Sequence, residues 1–307
     1  MDSAVTTPAP ALDKPLMHYG KRTLDRVAPD SEQPHYRLLA VRPLTPHIGA
    51  EIEGVDLWRP IGDDLASEIR QALLEWKVLF FRDQHSLDPT TQLAFANLWG
   101  EPEPNPFFPK GDTPGVSRLA KDAMAIGTEN IWHSDHSFMA APALGSVLRA
   151  VEVPAAGGDT MWADMAAAYD NLTESMKTRI ESLTAVHDWV PSWGALMTEQ
   201  QVAAHRANLP AVEHPVVVRH PGTGRRLLYV NEPFTTRIVG LPDPESRELL
   251  DELVLQARIP EYQVRFRWQP GSVAIWDNIA TQHYAINDYF PQRRVMERIA
   301  IAGVPLA

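Results

Sequence analysis

The chain has 307 residues, a formal net charge of −11 and no cysteine. The absence of cysteine excludes disulfides, thiolate metal sites and cysteine nucleophiles, and the negative charge argues against nucleic acids or anionic membranes as partners. No apolar run approaches the roughly 20 residues of a membrane-spanning helix, and the N-terminal stretch lacks a signal-peptide pattern. We therefore predict a cytoplasmic protein that binds neither membranes nor nucleic acid.

The composition changes near residue 36. Residues 1–35 are rich in Pro, Ala, Thr and charged side chains without a sustained periodicity, which predicts a flexible N-terminal arm. The arm could also act as a lid or an oligomer contact. Residues 36–307 are predicted to form one domain, since the candidate metal ligands described below are far apart in sequence and must converge.

Short strands with inserted helices make up the predicted domain. Asp63 and Asp64 are N-cap candidates for a helix that carries Leu65, Ile69 and Trp76 on one stripe. The following elements are predicted as a buried strand at 78–81, a helix at 88–96, a Pro-rich loop at 101–115, a strand at 147–153, helices at 164–169 and 173–183, a hairpin at 215–230, a helix from 243, and strands at 263–268 and 272–276. This order is typical of a β-sandwich or jelly roll decorated by helices.

A metal-binding pattern lies in the segment WHSDHSF at 132–138. His133 and Asp135 are two residues apart, so on an extended backbone both side chains leave the same face. An imidazole and a carboxylate can occupy neighbouring positions on one ion, and one distant histidine would complete the two-histidine, one-carboxylate triad of non-haem Fe(II). The short pattern alone is also common in turns and surface hydrogen bonds.

Two arginines near the C-terminus have two possible interpretations. Arg294 and Arg298 are four residues apart on a predicted strand and share one face. By pattern alone, the aliphatic face with Val295 and Ile299 would be buried and both arginines would be in water. The alternative places both arginines in the interior, which requires an anion against each guanidinium, such as a carboxylate or sulfonate.

Several spaced motifs resemble one enzyme family. WHSDHSF, GGDT at 157–160, VNEPFTTRIVGL at 230–241 and WDN…TQHYAINDY…QRRVMER near the C-terminus occur in the same order as in the taurine dioxygenase (TauD/TfdA) family of Fe(II)- and 2-oxoglutarate-dependent dioxygenases. That family also includes alkylsulfatases and aryloxyalkanoate dioxygenases. The resemblance implies a mainly β fold with inserted helices, a double-stranded β-helix (jelly roll, cupin-like), with iron at one mouth.

The resemblance also implies roles for individual residues. His133, Asp135 and His283 would hold Fe(II), and Arg294 with Thr160 would bind the distal carboxylate of the cosubstrate 2-oxoglutarate. Arg298 would bind the anionic group of the substrate. The remaining substrate positions differ from those of the taurine enzymes: they are Asn105 in place of a histidine, Phe108 in place of a tyrosine, Glu129 in place of an asparagine, His136 in place of a small aliphatic residue, and the aromatic residues Trp193 and Phe234.

These substitutions predict an apolar pocket beside an anion anchor. The function implied is hydroxylation of a C–H of a small organic anion, an alkyl sulfonate or alkyl sulfate ester, using O2 and releasing succinate and CO2. Alternatives are a carboxylate substrate, either an aryloxyalkanoate or an amino-acid-like intermediate, and a non-enzymatic jelly-roll binding protein. A homo-oligomer, dimer or tetramer, is expected.

Overall fold

The computed structural model describes residues 36–107, 112–125 and 127–306. The predicted arm at 1–35 and the candidate residue Phe108 lie outside these ranges. Within them the chain is mostly β, with several sheets and a smaller number of helices. No helix of the described ranges combines the length and apolar character needed to cross a lipid bilayer.

Strands are present throughout the described chain. They are β1 (Ala40–Pro43), β2 (Ala50–Glu53), β3 (Val78–Phe81), β4 (Ser117–Lys121), β5 (Gly145–Glu152), β6 (Thr160–Asp164), β7 (Thr184–His187), β8 (Val212–Pro215), β9 (Val217–Arg219), β10 (Arg226–Leu228), β11 (Thr235–Ile238), β12 (Gln263–Phe266), β13 (Val273–Asp277), β14 (Thr281–Ala285) and β15 (Arg294–Ile301).

The helices occupy the connections between these strands. They are α1 (Asp63–Trp76), α2 (Pro89–Ala96), α3 (Met165–Asp170), α4 (Glu174–Ile180), α5 (Val190–Trp193), α6 (Glu199–Arg206) and α7 (Asp243–Val254), with 3-10 turns at Gly194–Leu196, Leu255–Arg258 and Pro260–Tyr262. The predicted hairpin is present as the antiparallel pair β9–β10.

Two sheets face each other across the interior that leads to the candidate site. The larger has seven strands in the order β1-β2-β3-β13-β5-β15-β4, and the smaller has the order β12-β6-β14. Aromatic rings fill the space between them: Phe80 stacks on Phe266 with centroids 3.9 Å apart, and Trp162 lies 5.3 Å from Phe80 and 5.7 Å from Trp276. Offset and edge-to-face contacts of this kind add to the burial of apolar area.

The outer face of the seven-stranded sheet is covered by α1 and α2. Phe81, Ile275 and Ile299 point to this side and form one core cluster with Ile69 of α1 and Phe95 of α2. Every residue of β15 is buried. Since successive residues of a strand alternate between its two faces, both faces of β15 are covered along its whole length. The aliphatic face of β15 is therefore buried against α1 and α2, and the opposite face is the one that points into the interior between the sheets.

A second core lies behind the three-stranded sheet. Its apolar residues come from α3, α4, α7 and the β9–β10 hairpin, and they include Ala168, Ile180, Leu227 and Leu253. The remaining sheet has the order β11-β7-β8.

The predicted N-cap of α1 was wrong. Neither Asp63 nor Asp64 caps the helix; Gly62 occupies the N-cap position without a side-chain hydrogen bond, and both aspartates lie in the first turn. Negative charge is favourable there because the unpaired N–H groups of the first turn carry a partial positive charge. Asp88 does cap α2, in a capping box with Thr91.

Candidate active site

Backbone pairing brings the two metal-ligand segments together. The N–H of His133 donates to the carbonyl of His283 at 3.0 Å, and the N–H of His283 donates to the carbonyl of His133 at 2.8 Å. His133 is not part of a regular strand, and Asp135 lies in a turn. The expectation of an extended H-x-D segment is thus replaced by a bridge to β14 followed by a turn, but both side chains still reach the same centre.

His133, Asp135 and His283 form a buried cluster of three potential ligands. One donor atom from each lies within 4.8 Å of the other two. The Nε2 atoms of His133 and His283 are each 3.8 Å from an oxygen of Asp135. In the described part of the chain this is the one group of three or more such side chains that could hold a metal ion.

Neighbouring groups fix the orientation of these ligands. The Nδ1 of His133 lies 2.8 Å from the carbonyl oxygen of Ile131, so Nδ1 carries the hydrogen and Nε2 keeps its lone pair for a metal. Asn278 accepts from the N–H of Asp135 and donates to its carbonyl, both at 2.8 Å. The hydroxyl of Ser146 donates to Oδ2 of Asp135 at 3.3 Å.

The electrostatics give the protonation states that a metal requires. Burial raises the pKa of Asp135, but the Arg298 guanidinium and the nearby imidazoles lower it more, and the net pKa lies well below its ordinary value. Burial, with the repulsion of His133, lowers the pKa of His283 to about 3. The cluster therefore offers an ionised carboxylate and a neutral imidazole, the forms that coordinate metal ions.

Arg294 and Arg298 both turn inward. Arg298 is 6% exposed and Arg294 is 8% exposed, so the interpretation that placed them in water is wrong. Nη1 of Arg298 donates to Oδ1 of Asp135 at 2.8 Å. Arg294 donates from Nε to the carbonyl of Gly158 at 3.1 Å, and its guanidinium lies 5.8 Å from the centre of the Tyr289 ring.

The GGDT segment is shaped around Arg294. Gly158 has φ +71°, and a Cβ at this position would come within 3.1 Å of the Arg294 side chain. Glycine is therefore required both by the backbone angle and by the close approach. Thr160 follows at the start of β6, where its hydroxyl accepts from Trp268 Nε1 at 2.9 Å; such a hydroxyl can still donate its own hydrogen.

An aromatic wall stands beside the three ligands. It consists of Phe107, Phe138, Trp189, Trp193 and Phe234. The ring of Phe234 lies 6.4 Å from His133, 5.4 Å from Trp193 and 5.0 Å from Phe138. Trp193 and Phe234 thus both belong to this wall, and their contact with a substrate stays a prediction.

The other predicted substrate positions have protein partners. Asn105 and His136 are buried and lie side by side, with Asn105 Nδ2 at 3.0 Å from His136 Nε2. His136 Nδ1 lies 3.0 Å from Oε2 of Glu103. Glu129 forms an ion pair with Lys121 at 2.8 Å. Their contact with a substrate stays a prediction.

Several residues of the site had no assigned role in the sequence. Asn278 belongs to the WDN motif and Phe138 to WHSDHSF, so their motifs gave a signal that they lie close to the ligands. Ser146 and Phe107 carried no such signal, because their roles depend on strand pairing and loop placement.

Comparisons with known proteins agree with this geometry. Residues 40–300 match the family described as "Taurine catabolism dioxygenase TauD, TfdA family". The alkylsulfatase of Acinetobacter baylyi is 40% identical over 273 residues, which cover 86% of this chain and 85% of that protein. The alpha-ketoglutarate-dependent sulfate ester dioxygenase of Pseudomonas putida is 40% identical over 280 residues, covering 88% and 91%. A crystal structure of a taurine dioxygenase from Burkholderia xenovorans superposes with a TM-score of 0.76 at 38% identity, covering 87% of this chain and 90% of that one.

Proposed function

Because this chain belongs to the taurine catabolism dioxygenase TauD/TfdA family, we propose that it is an Fe(II)- and 2-oxoglutarate-dependent dioxygenase that oxidises an alkyl sulfate ester or alkyl sulfonate. The observation that carries this proposal is the buried ligand cluster itself: Arg298 pairs with its carboxylate Asp135, and the Phe234 ring of the aromatic wall lies 6.4 Å from its ligand His133. It combines a metal ligand, an anion-binding group and an apolar surface in one place.

The donor set fits Fe(II). Two histidines and one carboxylate leave open coordination positions on a six-coordinate ion, which is the arrangement of non-haem Fe(II) oxygenases. The Nε2 atoms of His133 and His283 each lie 3.8 Å from an oxygen of Asp135, so the three donor atoms are close enough to bind one ion. When bound, Fe(II) and 2-oxoglutarate activate O2 for C–H oxidation, with release of succinate and CO2.

Arg294 and Thr160 fit the distal carboxylate of 2-oxoglutarate. Arg294 is a buried cation. Burial lowers the pKa of its guanidinium, and the nearby Tyr289, Glu129 and Asp159 offset only part of that effect. A buried charge is costly unless an anion pairs with it. A bidentate carboxylate would satisfy the guanidinium, and the Thr160 hydroxyl would donate to the same group.

The substrate anion is assigned to Arg298. Its guanidinium already contacts Asp135, so an anion held there lies next to the ligand cluster and its first carbons lie near the reacting centre. Phe234 and Trp193 would contact the alkyl body. The pocket thereby favours substrates with one anionic end and an apolar chain.

Oxidation next to the ester oxygen explains how such a substrate would be cleaved. Replacing one C–H by C–OH on the carbon that carries the sulfate gives a hemiacetal-like ester. When its O–H proton leaves, the carbon–oxygen bond to sulfate breaks and an aldehyde remains. The protein has to exclude water and to aim one carbon, which positioning by the wall and Arg298 supplies.

The fold is assigned in the same proposal. The seven-stranded sheet facing β12-β6-β14 supports a double-stranded β-helix, with residues 36–307 as one catalytic domain. A homo-oligomeric, cytoplasmic enzyme remains part of the proposal on the strength of the sequence.

Succinate formation tests the function. The protein, loaded with Fe(II) and 2-oxoglutarate, is offered n-alkyl sulfates, alkyl sulfonates, aryloxyacetates and neutral alcohols of matched length. We expect aldehyde and sulfate in equal amounts from the alkyl sulfates, and a large loss of activity in Arg298→Met. The matched control is Arg293→Met, since Arg293 is half-exposed and pairs with Glu152 on the surface.

The outcomes separate the alternatives. Turnover confined to aryloxyacetates would indicate the carboxylate substrate class. Turnover of the neutral compounds alone, unchanged in Arg298→Met, would refute the anion anchor. A protein that binds Fe(II) without any succinate formation would be a binding protein.

A further inference from the structure

The loop at 101–107 connects the arginine-bearing strand to the aromatic wall. At one end the N–H of Glu103 donates to the carbonyl of Ala300 at 2.8 Å, and the N–H of Ala302 donates to the carbonyl of Glu101 at 2.8 Å. At the other end the Phe107 ring lies 4.5 Å from Trp193. The loop therefore places one face of the wall relative to β15.

The middle of this loop is held by the side chain that follows Asp135. His136 is 1% exposed. Its Nδ1 lies 3.0 Å from Glu103 Oε2, and its Nε2 lies 3.0 Å from Asn105 Nδ2. Asn105 Oδ1 in turn accepts from the N–H of Phe107 at 2.8 Å. We call these three side chains, Glu103, Asn105 and His136, the His136 network.

The network has one consistent set of hydrogens. The N–H of Phe107 requires an oxygen opposite it, so the Asn105 amide must present Nδ2 to the imidazole. Nδ2 is a donor, so Nε2 of His136 accepts and its hydrogen resides on Nδ1. Nδ1–H then donates to the Glu103 carboxylate. Each of the three side chains then has a hydrogen-bond partner, and the hydrogen bonds form a continuous chain from Glu103 through His136 and Asn105 to the backbone of Phe107.

The backbone at His136 supports a role for the side chain. Its φ is +55°, a left-handed conformation that is disfavoured for a residue with a Cβ and natural for glycine. The histidine keeps this conformation together with two side-chain contacts to the 101–107 loop. Its ring therefore does more than complete a turn.

We propose that His136 is a positioning residue that fixes the 101–107 loop and, through Phe107, sets selectivity for substrates with a long apolar body. This inference rests on the proposed function, because it concerns the same pocket. In this proposal His136 holds Asn105, and Asn105 holds the backbone of Phe107 in the wall. This role replaces the direct substrate contact that the sequence predicted for both residues.

The kinetic test uses two substitutions at one position. His136→Gly accepts the left-handed backbone but removes the network. His136→Gln keeps an amide N–H for Glu103 and a carbonyl oxygen for Asn105. For the Gly variant we expect the KM for decyl sulfate to rise roughly tenfold, the value of one or two buried hydrogen bonds, while the KM values for butyl sulfate and 2-oxoglutarate change much less. The Gln variant should recover most of the loss.

Amide hydrogen exchange gives a readout that needs no substrate. In the Gly variant the Phe107 amide should exchange faster, because its acceptor Asn105 is no longer held. The Glu103 amide bonds to Ala300 and serves as the internal control, which should remain protected. Residue-resolved exchange of the metal-free protein, wild type and both variants, provides the comparison.

The outcomes are distinguishable. Unchanged exchange at Phe107 in His136→Gly overturns the network. Faster exchange without any change in chain-length selectivity overturns the role in specificity. Equal increases of KM for decyl sulfate and 2-oxoglutarate would indicate a general structural defect and also overturn it. A wild type that acts on no alkyl sulfate counts against the proposed function, and the exchange comparison then still decides the network.

Discussion

The buried pair of Asp135 and Arg298 makes a quantitative prediction about stability. Oδ1 of Asp135 and Nη1 of Arg298 are 2.8 Å apart, and the two side chains are 5% and 7% exposed. Arg298→Met keeps most of the side-chain volume and removes the charge. Removing one partner of a buried pair costs about 3–5 kcal/mol, since the other charge is left without compensation.

A double-mutant cycle separates this pairing from the loss of other contacts. We expect Arg298→Met and Asp135→Asn each to lower the free energy of unfolding of the metal-free protein by about 3 kcal/mol or more. The double variant should be more stable than the sum of the two losses predicts, with a coupling of about 2–3 kcal/mol. Urea unfolding at neutral pH, followed by tryptophan fluorescence, measures all four proteins.

The pH dependence of the variant has a defined sign. In the wild type the folded pKa of Asp135 is depressed, so its stabilisation is present above the unfolded pKa of about 3.9 and is lost as the pH falls below it. Without Arg298, burial raises the folded pKa. Above that raised pKa the ionised, unpaired Asp135 destabilises the folded variant. Lowering the pH should therefore reduce the difference in free energy of unfolding between the wild type and Arg298→Met.

The control and the refuting result are clear. Arg293→Met removes a half-exposed arginine whose surface ion pair should contribute about 0–1 kcal/mol. Additive effects of Arg298→Met and Asp135→Asn, within about 0.5 kcal/mol, would show that the two side chains do not stabilise each other, and the electrostatic account of the site would be wrong.

Three further predictions follow from other groups. Burial lowers the pKa of His187 to about 3, so below about pH 6.5 the unfolded wild-type chain binds a proton at this histidine that the folded protein does not. The free energy of unfolding of the wild type should therefore fall by about 1.4 kcal/mol between about pH 7.5 and pH 5.5 for this reason, and His187→Phe should not show this decrease. Equal decreases in both proteins, measured by urea unfolding, would contradict this prediction. Arg294→Gln should weaken 2-oxoglutarate binding roughly tenfold to a hundredfold, the value of a lost charge-assisted hydrogen bond, as measured by equilibrium titration; unchanged affinity would exclude Arg294 from the cosubstrate site. His283→Ala should abolish tight Mn(II) binding measured by calorimetry, whereas His85→Ala, on the exposed surface, should not.

The orientation of β15 shows what a sequence pattern cannot decide. Alternation placed Arg294 and Arg298 on one face and Ile299 on the other, and both statements are confirmed. Which face turned inward was predicted wrongly by pattern alone, because α1 and α2 cover the aliphatic side. That information lies in distant residues such as Ile69 and Phe95, whose contact with β15 depends on the tertiary fold.

For a related reason, the sequence predicted the metal ligands of the candidate site but not the hydrogen-bond partners of its other residues. The ligand motifs fix the chemistry of His133, Asp135 and His283 locally, and the structure brings them together. Register with a family gave positions for Asn105 and His136 but not their partners. The contact between Asn105 and His136 involves a left-handed backbone at His136, and the presence of a histidine in the sequence does not predict that conformation.

Strand register is the physical condition on which the whole site depends. Arg298 faces Asp135 on the inner side of β15, while Glu297 points to the outer side and forms ion pairs with Arg149 and Arg118. A shift of one residue would exchange the faces: the carboxylate of Glu297 would meet the ionised Asp135, and the guanidinium of Arg298 would meet Arg149 and Arg118. Both would be buried charges without an opposite partner, each at a cost of several kcal/mol. The segregation of charge between the two faces of β15 thus selects the register, and that register places a cation beside the metal ligands.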